Sequence, residues 1–77
     1  MSKVVDLHNL ELYEALKVAE AAVNEGIVQK QEKLDLIHGI GDGILKKELH
    51  SMLENYSNVI DKFELDPFNP GRTKVFF

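Results

Sequence analysis

The chain has 77 residues, an ordinary 44% hydrophobic content, no cysteine and a formal net charge of −4. So short a chain supports one small core, burying only about 60% of the surface its unfolded form exposes. Without thiols it has no disulfide, thiolate nucleophile or cysteine-bound zinc. The first residues carry no apolar run before Asp6, and no segment approaches the ~18 apolar residues of a membrane span. The expectation is a single cytoplasmic domain over residues 1–77 with no membrane partner. Its negative charge argues against broad adhesion to nucleic acid but leaves room for a local basic edge.

Residues 4–8 alternate Val5 and Leu7 against Asp6 and His8, the period of a short strand. Over residues 11–25, Leu12, Ala15, Leu16, Ala19, Ala22 and Val23 recur at three- and four-residue spacing, which predicts an amphipathic helix. Gly26 is read as its left-handed C-cap, with Ile27 packing back on the last turn. Residues 34–38 form a second strand, and the helical crossover is long enough to set it parallel to the first. Gly39, Gly41 and Gly43 then alternate through a tight turn. A second helix over residues 44–56 presents Leu45, Leu49, Met52, Leu53 and Tyr56 on one face, and His50 falls on its polar side as a surface residue. Residues 59–65 read as a third strand with its alternation blurred at Ile60. Two prolines, Asn69 and Gly71 mark residues 66–71 as a surface loop. Residues 73–77 close the chain as a fourth strand paired antiparallel. The order βαβαββ predicts a two-layer α/β sandwich, a four-stranded mixed sheet with both helices on one face.

If the first two strands are parallel neighbours, their polar ends meet at one sheet edge. Free amides around Gly39, Gly41 and Gly43, with those of the following helix's first turn, suit an anion. Lys46 and Lys47 add mobile positive charge there, and Arg72 stands near the start of the last strand. No Gly-Lys-Thr/Ser follows the glycines, so the turn is not a nucleotide-hydrolysing P-loop. Asp6 and His8, at alternate strand positions, are expected on one face, the carboxylate orienting the imidazole. With His38 they supply the residue types of acid–base phosphodiester chemistry. For RNA the 2′-hydroxyl can be the nucleophile, and no metal is then required. The alternative is Mg²⁺ on Asp6, with Asp42 as a second carboxylate. Zinc on His8 and His38 lacks a third ligand, and a purely structural role for the Asp6–His8 pair is the bland alternative. Phe63, Phe76 and Phe77 read as packing, while Phe68, between the prolines, is a candidate for stacking a base.

The elements Val5-Asp6-Leu7-His8 and His38-Gly39-Ile40-Gly41-Asp42-Gly43, in this order and within a βαβαββ pattern, resemble the Smr (small MutS-related) domain family over essentially the whole chain. The resemblance implies a fold similar to the C-terminal domain of bacterial translation initiation factor three, with the last strand between the second and third. It implies nucleic-acid binding and weak DNA or RNA endonuclease activity, with Asp6, His8 and His38 as catalytic residues. Gly39, Gly41, Gly43, Lys46, Lys47 and Arg72 would hold phosphate. Family members act in DNA repair or recombination and in RNA quality control, including on stalled ribosomes, often as the C-terminal module of a longer protein. A non-catalytic nucleic-acid or ribosome-binding module, or a protein-interaction domain, is the alternative. The chain departs from the family pattern at Asn9, where glycine is usual, at Ile40, where a basic residue is frequent, and at acidic Asp42.

Overall fold

In the computed structural model, which describes residues 2–77, six elements follow in the expected order. They are β1 (Ser2–Asp6), α1 (Leu12–Val28), β2 (Lys33–Ile37), α2 (Ile44–Glu54), β3 (Lys62–Leu65) and β4 (Arg72–Phe76). The strands form one sheet in the order β1-β2-β4-β3, with β1 and β2 parallel and β4 antiparallel to both of its neighbours. The last strand therefore lies between the second and third.

Alternation explains the placement. On β2, Leu34 and Leu36 are fully buried and pair with Val75 and Thr73 of β4, all facing the helices. Ala15, Ala19 and Val23 of α1 and Leu49 and Leu53 of α2 meet them in one core. Burying each leucine or valine contributes about 1.5–3 kcal/mol, so this two-strand centre carries much of the stability. β3 presents exposed Lys62 and Glu64 and only half-buried Phe63, a charged pattern suited to a sheet edge. No described helix is long and apolar enough to cross a membrane.

Several boundaries differ from the sequence reading, each for a local reason. Helix α1 runs past Gly26 to Val28 and closes with a Schellman motif, in which the Gln31 N–H donates to Gly26 O (2.9 Å) and the Lys30 N–H to Ile27 O (3.3 Å). Lys30, at φ +55°, takes the left-handed position expected of Gly26. Gly26 is instead a packing glycine: a Cβ there would lie 2.3 Å from the Phe77 ring. Ile60, buried ahead of β3, fills the core from the turn, which is why the alternation blurs there. Lys30 is the one described non-glycine residue at positive φ, so Asn9 sits in its turn without the special backbone angle glycine would offer.

The Gly26–Phe77 contact is testable by a double-mutant cycle. Gly26→Val should lower stability in urea unfolding by about 1–3 kcal/mol through overpacking. Phe77→Ala should absorb much of that loss, so that the two substitutions are non-additive. Strictly additive losses would contradict the contact.

Candidate functional site

Strand β1 stops at Asp6 because its carboxylate folds forward. Asp6 Oδ1 accepts the backbone N–H of His8 (3.1 Å) and the ring Nδ1–H of the same residue (2.5 Å). This is an Asx turn. The intervening Leu7 is fully buried and extends the sheet by one bond, its N–H donating to Ile37 O at 2.7 Å. Asp6 and His8 thus share a side through the turn and not through strand alternation, since His8 lies beyond the strand. Both side chains are about half exposed (54% and 48%). With Nδ1–H committed to the carboxylate, Nε2 is the imidazole nitrogen that faces outward for proton transfer.

All three glycines of the turn adopt positive φ: Gly39 at +78°, Gly41 at +30° and Gly43 at +82°. Any L side chain there is strained, so the alternate spacing is a backbone requirement. One carbonyl anchors the entry: Gly71 O accepts the N–H groups of both His38 (2.9 Å) and Gly39 (3.0 Å). The two backbones come so close that a Cβ on Gly71 would lie 3.2 Å from Gly39. His8 packs from the other side, its Cβ 3.4 Å from where a Gly39 Cβ would stand. His8, His38, Gly41 and Asp42 therefore line one shallow recess, with Leu10 and Leu45 as apolar walls. The two polar ends do meet at one edge.

Among the described residues, no protein acceptor takes the N–H groups of Ile40, Gly41, Asp42 or Gly43. The first amide of α2 is not free, because the Ile44 N–H donates to Asp42 Oδ1 (3.1 Å). The acidic residue has thus capped part of the helix terminus that sequence reasoning left open to an anion. Lys46 is half-buried and Lys47 exposed, and among the described residues neither forms an ion pair. Arg72 lies opposite Ile37, which lies opposite Asp6, so all three share one row at the same end of the sheet. Its guanidinium is held by the buried carboxylate of Asp35, Nη1 to Oδ2 at 3.3 Å, on the face away from the helices.

His38 is placed at the recess but is buried at 6% exposure, with both ring nitrogens engaged. Nδ1 bonds Gly39 O (2.9 Å) and Nε2 bonds Thr73 Oγ1 (2.8 Å). A residue read as surface joins it: His50 Nε2 lies 2.7 Å from the same Thr73 hydroxyl. His50 packs edge-on against Phe63 (centroids 5.1 Å apart) and faces the His38 ring at 6.4 Å. The missed signal was helical spacing, because positions 49, 50 and 53 share a stripe on the core side of α2. Burial pushes the His50 imidazole below its ordinary pKa, the His38 ring and Lys46 add to this, and Glu54 opposes it.

The described residues gather no trio of His, Asp or Glu that would hold a metal ion. Asp6 and Asp42 each already spend an oxygen on backbone amides. Each keeps its second oxygen, which is what the Mg²⁺ alternative asks of a carboxylate whose ion takes the rest of its shell from water and phosphate. Phe68 stands at the loop tip, 94% exposed, with its backbone braced by Asp66 Oδ1, which accepts the N–H groups of Phe68 (2.8 Å) and Asn69 (3.1 Å).

The hydrogen bonds from His8 hold the Asp6 carboxyl below the ordinary aspartate range. A depressed folded-state pKa means this contribution to stability is full above the unfolded value, near 3.9, and is lost as pH falls through the folded value. Carboxyl ¹³C titration should find Asp6 titrating below 3.8, and His8→Ala should return it toward 3.8. An unmoved Asp6 titration would remove the pair from solution.

Comparison with known proteins agrees with this fold. The Smr domain family model matches residues 5–77. The Endonuclease MutS2 of Clostridium botulinum is 30% identical over 71 residues, covering 92% of this chain and 9% of that protein. Endonuclease MutS2 of Clostridioides difficile is 38% identical over 55 residues, 71% of this chain and 7% of that one. The chain thus spans less than a tenth of the length of these relatives. The crystal structure of the Smr domain of Thermus thermophilus MutS2 superposes with a TM-score of 0.86 at 30% identity, covering 96% of this chain and 95% of that one. With the βαβαββ sheet, both motifs at one edge and a match along nearly its whole length, the chain belongs to the Smr domain family.

Proposed function

We propose that this domain binds single-stranded or branched nucleic acid at the recess between the Asp6–His8 turn and the glycine turn, and slowly cleaves RNA there. The observation that carries this reading is the packing of His8 against Gly39, which sets an oriented imidazole beside amides with no protein acceptor. The relatives' name, Endonuclease MutS2, supports the same class of chemistry.

The amides of residues 40–43 take non-bridging phosphate oxygens, and Lys46 and Lys47 take the flanking phosphates. Asp6 keeps the His8 proton on Nδ1, so Nε2 accepts the proton of an attacking 2′-hydroxyl. The 2′-oxygen bonds to phosphorus, the P–O5′ bond breaks, and the leaving oxygen takes a proton from water. The products are a 2′,3′-cyclic phosphate and a free 5′-hydroxyl. His38 has both nitrogens occupied within the fold and acts here as support for the turn. A single exposed imidazole, with water as acid, makes for slow cleavage. Phe68, on the loop that Gly71 ties to the turn, offers its ring face to a neighbouring unpaired base.

A second reading, binding without cleavage, is favoured by one specific observation. The Asp42 carboxylate occupies an α2 amide, and uncharged Ile40 stands at 70% exposure on the turn. Negative charge in the recess weakens phosphate contact whether or not bonds are broken.

Cleavage of a short single-stranded RNA by the whole chain separates the two readings. The catalytic one expects cyclic-phosphate ends, no cutting at a 2′-deoxy position, and loss of activity by about 10²-fold or more in His8→Ala. Unchanged cutting in His8→Ala would end it, and absence of cutting with RNA still bound would leave the binding reading. In the same assay Ile40→Lys with Asp42→Asn, which keeps an oxygen for the Ile44 amide, should tighten binding. It should also steepen the salt dependence by about 0.7 per added phosphate contact. Tightening that is independent of salt would contradict the electrostatic account.

A further inference from the structure

Three side chains from three elements meet beneath the glycine turn: His38 after β2, Thr73 in β4 and His50 in α2. Counting protons gives their hydrogen bonds a direction. Gly39 O can only accept, so the 2.9 Å contact places a proton on His38 Nδ1. In a neutral ring Nε2 is then bare, and at 2.8 Å it accepts the one proton of the Thr73 hydroxyl. That hydroxyl has nothing left to donate, so the 2.7 Å contact with His50 must be donated by His50 Nε2–H. The result is one chain running from His50 through Thr73 and His38 to the carbonyl of Gly39.

We propose that His50 is a positioning residue for the glycine turn, fixing the tautomer of His38 through the Thr73 hydroxyl. The Gly39 carbonyl so held belongs to a residue at φ +78°, and the neighbouring amides of His38 and Gly39 are tied to Gly71 O. Peptide planes on both sides of Gly39 are therefore fixed, and with them the direction of the Ile40 amide, the first of the four that follow. The chain needs only a proton on His50 Nε2, and Phe63, packed edge-on against that ring, holds it in place. Thr73 is fully buried and His38 nearly so, so losing either bond would leave a desolvated polar group with no partner.

The inference rests on reading the turn as the phosphate-contacting element, but its first test needs no nucleic acid. Long-range ¹H–¹⁵N spectra of the imidazoles in the labelled chain at pH 8 should show His38 protonated on Nδ1 and His50 on Nε2. Either ring in the opposite tautomer would overturn the proposal. Thr73→Val should release the His50 tautomer and leave that of His38 held by Gly39 O alone, shift the amide resonances of residues 39–43 and weaken RNA binding about fivefold, the scale of one lost hydrogen bond. Thr73→Ser should restore all three. Should Thr73→Val fail to fold, His50→Gln, which keeps an N–H donor, is compared with His50→Leu. The proposal requires the turn resonances and RNA affinity to follow the leucine variant alone. Equal behaviour of the two would reduce His50 to packing. A chain with the expected tautomers that binds no RNA would instead count against the function proposed above and leave the positioning role intact.

Discussion

The carbonyl of Gly71 organises the end of the sheet where the Asp6–His8 turn and the glycine turn meet. By accepting the amides of both His38 and Gly39, it joins the exit of β2 to the entry of β4 so closely that a Cβ on Gly71 would stand 3.2 Å from Gly39. Everything at the recess is referred to that joint. The glycine turn leaves from it, the loop carrying Phe68 arrives at it, and His8 packs on its far side. The antiparallel pairing of β2 with β4 supplies the rigidity, because Leu36 and Thr73 face each other inside the core just one step away. A loosely attached glycine turn would sample many shapes and lose most of its value as a binding surface, since ordering it would offset the contact energy.

Electrostatics then tune what this scaffold can do. The chain is acidic overall, and its cations near the site are unequally available. Arg72, in line with Asp6 across the sheet, is committed to buried Asp35, whereas Lys46 and Lys47 keep free ammonium groups among the described residues. Asp42 works for the fold by capping Ile44 and against an anionic ligand by its charge. The proposed site therefore relies on oriented amides and one oriented imidazole, with little help from net charge.

Much of this was legible in the sequence. Two-residue alternation located the strands, three- and four-residue spacing located the helices, and the glycine triplet announced positive φ where the backbone requires it. The meeting of Asp6, His8 and the turn at one edge followed from parallel pairing of two polar-ended strands. What stayed hidden depends on contacts between distant positions. Gly26 looks like a cap until Phe77 is seen against it, and Lys30 gives no sign of its left-handed angle. His50 shares a core-side stripe with Leu49 and Leu53, but its polar partner, Thr73, lies 23 residues later. His38 was expected to act on substrate alongside His8. The fold occupies both of its nitrogens, which no local pattern reveals.

A chemical-shift titration of the labelled chain with a short single-stranded RNA tests the central claim most directly. The account predicts that Asp6, His8 and the amides of residues 40–43 move first and saturate together. A separate groove between α1 and α2, lined by Tyr13, Leu16, Met52 and Asn55, shares no residue with the recess and serves as the internal control. Shifts concentrated in that groove or on the charged outer face of the sheet, with the His8 region silent, would contradict the account.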